Sequence, residues 1–254
     1  MENEALGRDE RYPVFYGIGL GPGDPGLVTL KALAVLRECR KIFVPDGGGP
    51  GGSRAFRILE SLDASLPRKA LRFPIPMGKV EPGLWRSMAR KIISFLSPES
   101  PCGMAVEGDP LLYGSFIRLR EEIQKLREDI KVEVVSGIPS FVAAAARLGL
   151  PLASGRESFC VLAGPLNSQQ LENHLMENDT LVLLKARTCL GELGALLRSR
   201  AGELKAWLVE DCGTPHERVH LVEDGRVSGE WGYFTLAIVR KNVQDRGTLG
   251  GERG

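Results

Sequence analysis

From Val14 to Val239 short apolar runs alternate with amphipathic segments, and that alternation leaves few architectures open. A short apolar run bounded by turn residues reads as a buried strand. A stretch with apolar residues three and four apart reads as a helix lying on it. Parallel strands need a crossover long enough to bring the chain back, so strand–helix alternation points to an α/β fold with a largely parallel sheet. Strands are expected at Val14–Leu20, Lys41–Pro45, Cys102–Glu107, Val132–Val135, Ser158–Ala163, Leu181–Leu184, Ala206–Val209 and Tyr233–Val239. Helices are expected at Leu27–Cys39, Arg54–Leu62, Leu84–Leu96, Ser115–Arg127, Ser140–Leu148, Gln169–Glu177 and Leu190–Ser199. Ser53 and Ser140 are placed to cap their helices. The last strand is β-branched and aromatic, which suits a late antiparallel partner. Two α/β lobes follow: residues 12–136 with a mostly parallel sheet, and residues 137–240 with a mixed one. The polar stretches 1–11 and 241–254 are expected to be flexible tails.

Composition narrows the function classes. The chain has 254 residues, enough for one large domain or two smaller ones. Hydrophobic residues are 43%, an ordinary globular fraction, so compositional disorder is excluded. Lys plus Arg is 33 against 32 acids, giving a formal charge of +1 and no global pull toward nucleic acid or membrane. No apolar run approaches the roughly 20 residues that span a bilayer, and Met1–Arg11 lacks the pattern of a signal peptide. Cys39, Cys102, Cys160, Cys189 and Cys212 are scattered without a CxxC pair, which reads as reduced thiols in a cytoplasmic protein.

The first strand runs into Gly17-Ile18-Gly19-Leu20-Gly21-Pro22-Gly23-Asp24-Pro25. This is no dinucleotide fingerprint, because Pro22 or Asp24 falls where the last glycine of G-x-G-x-x-G belongs. It is a strand-to-helix turn with Asp24 as cap and Pro25 in the first helical position, bare enough for a ligand to approach the backbone. A second such turn, Glu107-Gly108-Asp109-Pro110-Leu111-Leu112-Tyr113-Gly114-Ser115, follows another apolar run. Capping alone would explain either aspartate. Two in one lobe, both at strand carboxyl ends, would converge where open α/β sheets bind ligands.

A third segment, Val134-Val135-Ser136-Gly137-Ile138-Pro139-Ser140-Phe141, leads into the alanine-rich helix. Together with Thr180–Lys185 and Val209–Val219, these segments resemble the tetrapyrrole (corrin and porphyrin) methylases over about residues 13–240. Glu107–Phe116, Phe73-Pro74-Ile75-Pro76-Met77 before a helix bearing Trp85, and the Lys185 strand are similar to the branch that methylates C20 of precorrin-2 or its cobalt form. The uroporphyrinogen branch's Arg-Leu-Lys-Gly-Gly-Asp-Pro pattern is absent. Two departures stand out: the loop Asp46–Gly52 is mostly glycine, and residues 183–187 read Leu-Leu-Lys-Ala-Arg.

The resemblance implies a two-lobed fold with a ligand crevice between the lobes, a homodimer, and methyl transfer from S-adenosylmethionine to a ring carbon without a metal. By carry-over, Leu20, Pro22, Gly108, Asp109, Leu112, Ser140, Phe141, Leu184, Lys185, Cys212 and Gly213 would touch the cofactor. Glu107, Asp109 and Tyr113 are candidates for the group that takes the C20 proton. A methylase of the same fold acting on another macrocycle, or on a macromolecule, is the alternative.

Two further patterns compete with this assignment. His216-Glu217-Arg218-Val219-His220 matches the H-E-x-x-H of zinc peptidases, which requires a helix that Asp224-Gly225 would cut short. Arg68, Lys69, Arg72, Lys79, Arg86, Arg90 and Lys91 face only one acid, Glu81, in their stretch. That reads either as solvated surface or as a landing strip for a carboxylate-rich tetrapyrrole, with Arg72, Arg86 and Arg90 as the contacts.

Overall fold

The computed structural model describes residues 11–47, 52–75, 81, 83–222 and 224–242. Two compact units divide between Ser140 and Phe141. In the first, the strands are β1 (Val14–Gly19), β2 (Lys41–Asp46), β3 (Ala70–Pro74), β4 (Cys102–Val106) and β5 (Lys131–Val135). The helices between them are α1 (Leu30–Glu38), α2 (Arg54–Leu62), α3 (Leu66–Lys69), α4 (Leu84–Ile93) and α5 (Phe116–Leu126). All neighbouring strands are parallel, in the order β3-β2-β4-β1-β5.

Every residue of β1 is buried, as expected for a central strand with helices on both faces. Val14, Tyr16 and Ile18 pack with α1 and α2, whereas Phe15 joins Phe43, Met104 and the apolar faces of α4 and α5. Local chemistry sets the helix starts. The Thr29 side chain accepts the Ala32 N–H and begins α1, while Asp24 caps a separate 3-10 turn at Pro25–Leu27. The expected helix from Leu27 is therefore two pieces. Ser53 accepts the Phe56 N–H and caps α2 as expected.

The second unit holds α6 (Ser140–Leu148), β6 (Phe159–Ala163), α7 (Ser168–Glu177), β7 (Thr180–Leu184), α8 (Leu190–Ser199), β8 (Leu204–Glu210), β9 (Arg218–Val222) and β10 (Thr235–Lys241). Ser140 is the first residue of α6 rather than its cap. The sheet order is β6-β7-β10-β8-β9, with only β6 and β7 parallel. The parallel and mixed sheets match the expected α/β class, and β10 is the antiparallel partner anticipated for the last strand. Strands β3 and β9 were not anticipated. Cys39, Cys102, Cys189 and Cys212 are buried, and burial pushes the Cys102 thiol up to about 11.

Candidate functional site

In the parallel sheet the chain leaves β1 toward β2 on one side and leaves β4 toward β5 on the other. The crossovers α1 and α5 consequently pack on opposite faces, and the carboxyl ends of adjacent β1 and β4 form a topological switch point. Both Gly-Asp-Pro turns start there. Their backbones pair directly: the Gly108 N–H donates to Gly21 O at 2.7 Å and the Leu20 N–H to Val106 O at 2.9 Å. The convergence expected from their repetition is thus a physical contact.

Asp109 adds the third loop. One carboxylate oxygen accepts the Leu111 N–H at 2.9 Å, closing its own turn. The other accepts the Gly137 N–H at 3.1 Å, across to the loop after β5. Gly137 fits because it has no side chain. A Cβ there would strike the Gly108 carbonyl oxygen and come within 2.7 Å of the Gly19 Cα. In front of Gly108, by contrast, a Cβ would meet nothing within 4 Å, so the turn is bound behind and open ahead. That is the cradle a backbone-bound ligand needs. Leu20 and Pro22 are buried, leaving their main chain as what they could offer.

Glu107 directly follows β4 and is paired with Arg54 at the start of α2, 3.4 Å away. Leu112 is half-buried, while Tyr113 is 52% exposed with φ 52, a left-handed conformation uncommon for a non-glycine residue. Such strain persists only where neighbours hold it, and it is frequent at functional sites. Arg54 was missed by sequence reasoning, since nothing in a first-turn arginine announces a partner far away in the chain.

In the second unit, Phe141 is buried in the first turn of α6, its ring 6.4 Å from that of Phe159. Leu184 ends β7 and Lys185 follows it, at the start of a 3-10 turn. Lys185 is left-handed at φ 56, and its ammonium lies over the Tyr233 ring at 5.4 Å. Cys212 and Gly213 form the turn after β8.

The structure does not bring the three basic candidates together. Arg72 stacks on Phe56 of α2 at 4.1 Å and lies 3.9 Å from Asp46. Arg86 and Arg90 ride exposed on α4, which packs on the other sheet face, and Arg86 faces the charge of Glu122 on α5. Pro76, Met77, Lys79 and the loop residues 48–51 lie outside the described residues. The H-E-x-x-H helix does not form: Arg218–Val222 is strand β9, with His220 opposite Leu208.

Comparison with known proteins gives the family. The family model of the tetrapyrrole (corrin/porphyrin) methylases matches residues 14–224. A Methanocaldococcus jannaschii protein named "Probable cobalt-precorrin-2 C(20)-methyltransferase" is 32% identical over 229 residues, 89% of this chain and 95% of its own. The cobalt-precorrin-2 C(20)-methyltransferase of Salmonella typhimurium is 28% identical over 89% of this chain and 95% of its own. Among solved structures, uroporphyrin-III C-methyl transferase from Thermus thermophilus, complexed with S-adenosylhomocysteine, aligns with TM-score 0.59 and 26% identity over 89% of this chain and 96% of that one. With paired Gly-Asp-Pro turns at the switch point and a family match spanning most of its length, this chain belongs to the tetrapyrrole (corrin/porphyrin) methylases.

Proposed function

We propose that this protein transfers a methyl group from S-adenosylmethionine to C20 of precorrin-2 or cobalt-precorrin-2 in corrin synthesis. The observation that carries the reading is the backbone pairing of Gly21 with Gly108, locked by Asp109, at the switch point of the parallel sheet. The names of the relatives support the substrate. The residues assigned to the cofactor are Leu20, Pro22, Gly108, Asp109, Leu112, Ser140, Phe141, Leu184, Lys185, Cys212 and Gly213.

The cofactor supplies an activated methyl on a sulfonium, so alignment and exclusion of water are the main tasks left to the protein. Methyl transfer to C20 would leave a proton on that carbon, and accepting it is the step that falls to a side chain of this protein. Asp109 has both oxygens committed to backbone N–H groups, which assigns it to holding the loops. The phenol of Tyr113 can donate and accept hydrogen bonds but is a weaker base than a carboxylate. Glu107, a carboxylate held by Arg54, is therefore the proton acceptor in this reading. The proposal extends to a cytoplasmic homodimer acting on a free tetrapyrrole, not on nucleic acid or a membrane. Among the described residues no helix is long and apolar enough to cross a membrane, and the balanced charge gives no broad pull on polyanions.

Incubation of the purified protein with S-adenosylmethionine and either precorrin-2 or its cobalt form is expected to add the mass of one methyl group. No gain with either substrate, alongside a gain with another macrocycle, would move the protein to a different branch.

In this reading Arg72 meets a substrate carboxylate, which is supported by its guanidinium lying 3.9 Å from Asp46 at the carboxyl end of β2. Arg72→Ala is expected to raise the Michaelis constant for the tetrapyrrole about threefold, more at low salt, because half-exposed pairs are worth roughly 0.2–1 kcal/mol. Arg86 and Arg90 replaced together should change it less. Steady-state kinetics at two ionic strengths decides, and equal constants for wild type and Arg72→Ala remove Arg72 from the site.

A further inference from the structure

The acid of the H-E-x-x-H segment has a different task. Among the described residues no group of three His, Cys, Asp or Glu side chains could hold a metal. Glu217 instead accepts two hydrogen bonds with separate oxygens: from the Gly213 N–H at 2.8 Å and from Arg147 Nε at 2.9 Å. Its side chain is 17% exposed. The turn it grips is a demanding one. Asp211 is left-handed at φ 54 and Gly213 at φ 74, and only glycine adopts that region at little cost. Within the turn, Thr214 Oγ1 donates to Asp211 O at 2.8 Å, and the Glu217 N–H donates to Thr214 O at 3.1 Å.

The other end of the link is equally specific. Arg147 lies in the last turn of α6, the helix whose first turn carries Phe141. One carboxylate thus ties two elements of the second unit that bear cofactor candidates, and by holding the Gly213 N–H it fixes the plane of the Cys212–Gly213 peptide. A hydrogen bond from a backbone amide to a carboxylate is charge-assisted and stronger than a neutral one.

We infer that Glu217 is a positioning residue for the methyl donor: it orients the Cys212–Gly213 peptide and couples it to α6, without itself taking part in chemistry. This rests on the methyltransferase reading above.

The test is calorimetric titration with S-adenosylhomocysteine, beside thermal melts and steady-state kinetics, on wild type, Glu217→Ala, Glu217→Gln and Arg147→Met. Glu217→Ala is expected to weaken binding about tenfold, a factor set by 1.4 kcal/mol. Glu217→Gln keeps an acceptor for Gly213 but loses the charge that strengthens both bonds, so it should weaken binding about threefold, and Arg147→Met should behave alike. The Michaelis constant for the methyl donor should rise in parallel, while kcat at saturating donor falls by less than about twofold. A merely structural glutamate would lower the melting temperature and leave the affinity of the folded protein at its wild-type value; that result overturns the inference. Should Glu217→Ala fail to fold, wild-type affinity in both Glu217→Gln and Arg147→Met overturns it equally. Wild-type protein that binds no S-adenosylhomocysteine overturns the methyltransferase reading as well, so the two failures are distinct.

Discussion

Gly137→Ala is expected to lower the melting temperature by about 10 °C, the shift that corresponds to roughly 3 kcal/mol in a chain of this size. The added methyl has nowhere to go. Its neighbours are the Gly108 carbonyl oxygen and the Gly19 Cα, both main-chain atoms of strand-end turns that pair with each other or with adjacent strands. Overpacking in a core is usually relieved by side-chain motion at about 1–3 kcal/mol, and here no side chain can yield. A contrast variant makes the interpretation specific. Gly191 sits in α8, where an added Cβ would meet nothing within 4 Å, so Gly191→Ala should stabilise by about 0.5–1 kcal/mol through helix propensity alone. Differential scanning of both variants is sufficient. A Gly137→Ala protein that melts with wild type would mean the three loops are not packed backbone to backbone.

Asp109→Ala should cost about 2 kcal/mol and weaken S-adenosylhomocysteine binding at least about tenfold. Two backbone N–H groups lose their acceptor, one of them partly buried at Gly137. Asp109→Asn separates the contributions. Its amide oxygen can serve one N–H, but its amino group then faces the other donor, so about half the stability loss should remain. Titration and melting on the same preparations tell the two effects apart. If Asp109→Ala is destabilised yet binds normally, the loops are braced by Asp109 but the cofactor does not use them.

Much of this was legible in the sequence, for identifiable reasons. Central strands such as β1 and β4 are uniformly apolar, and the Gly-Asp-Pro turns after them combine a cap with a bare backbone. Both signals are local, so both survive without coordinates. Strand β3 carries one buried residue, Phe73, and ends in proline, which leaves no alternation to detect. Strand β9 misleads more actively: Val219 and Leu221 point outward while Val222 is buried, so an edge strand reads as a loop. The basic stretch shows the same limit from another side. Arg72 and Arg86 are close in sequence, but a strand in the sheet and a helix on the opposite face send their side chains apart. Partners distant in the chain, such as Arg54 with Glu107 or Glu217 with Arg147, leave no trace in composition or period.

The place of β10 in the second sheet bears on how the chain is made. Thr235–Lys241 lies between β7 and β8 and hydrogen-bonds to both. Until it arrives, the unit holds two separate strand pairs with unfilled inner edges. The first sheet has no such dependence, for its last strand ends at Val135. Domains fold in order during synthesis, so the parallel unit can close on the ribosome about 100 residues before the mixed one is able to. During that interval the inner edges of β7 and β8 are open strand templates, and a nascent chain stalled before Thr235 would present them to its neighbours.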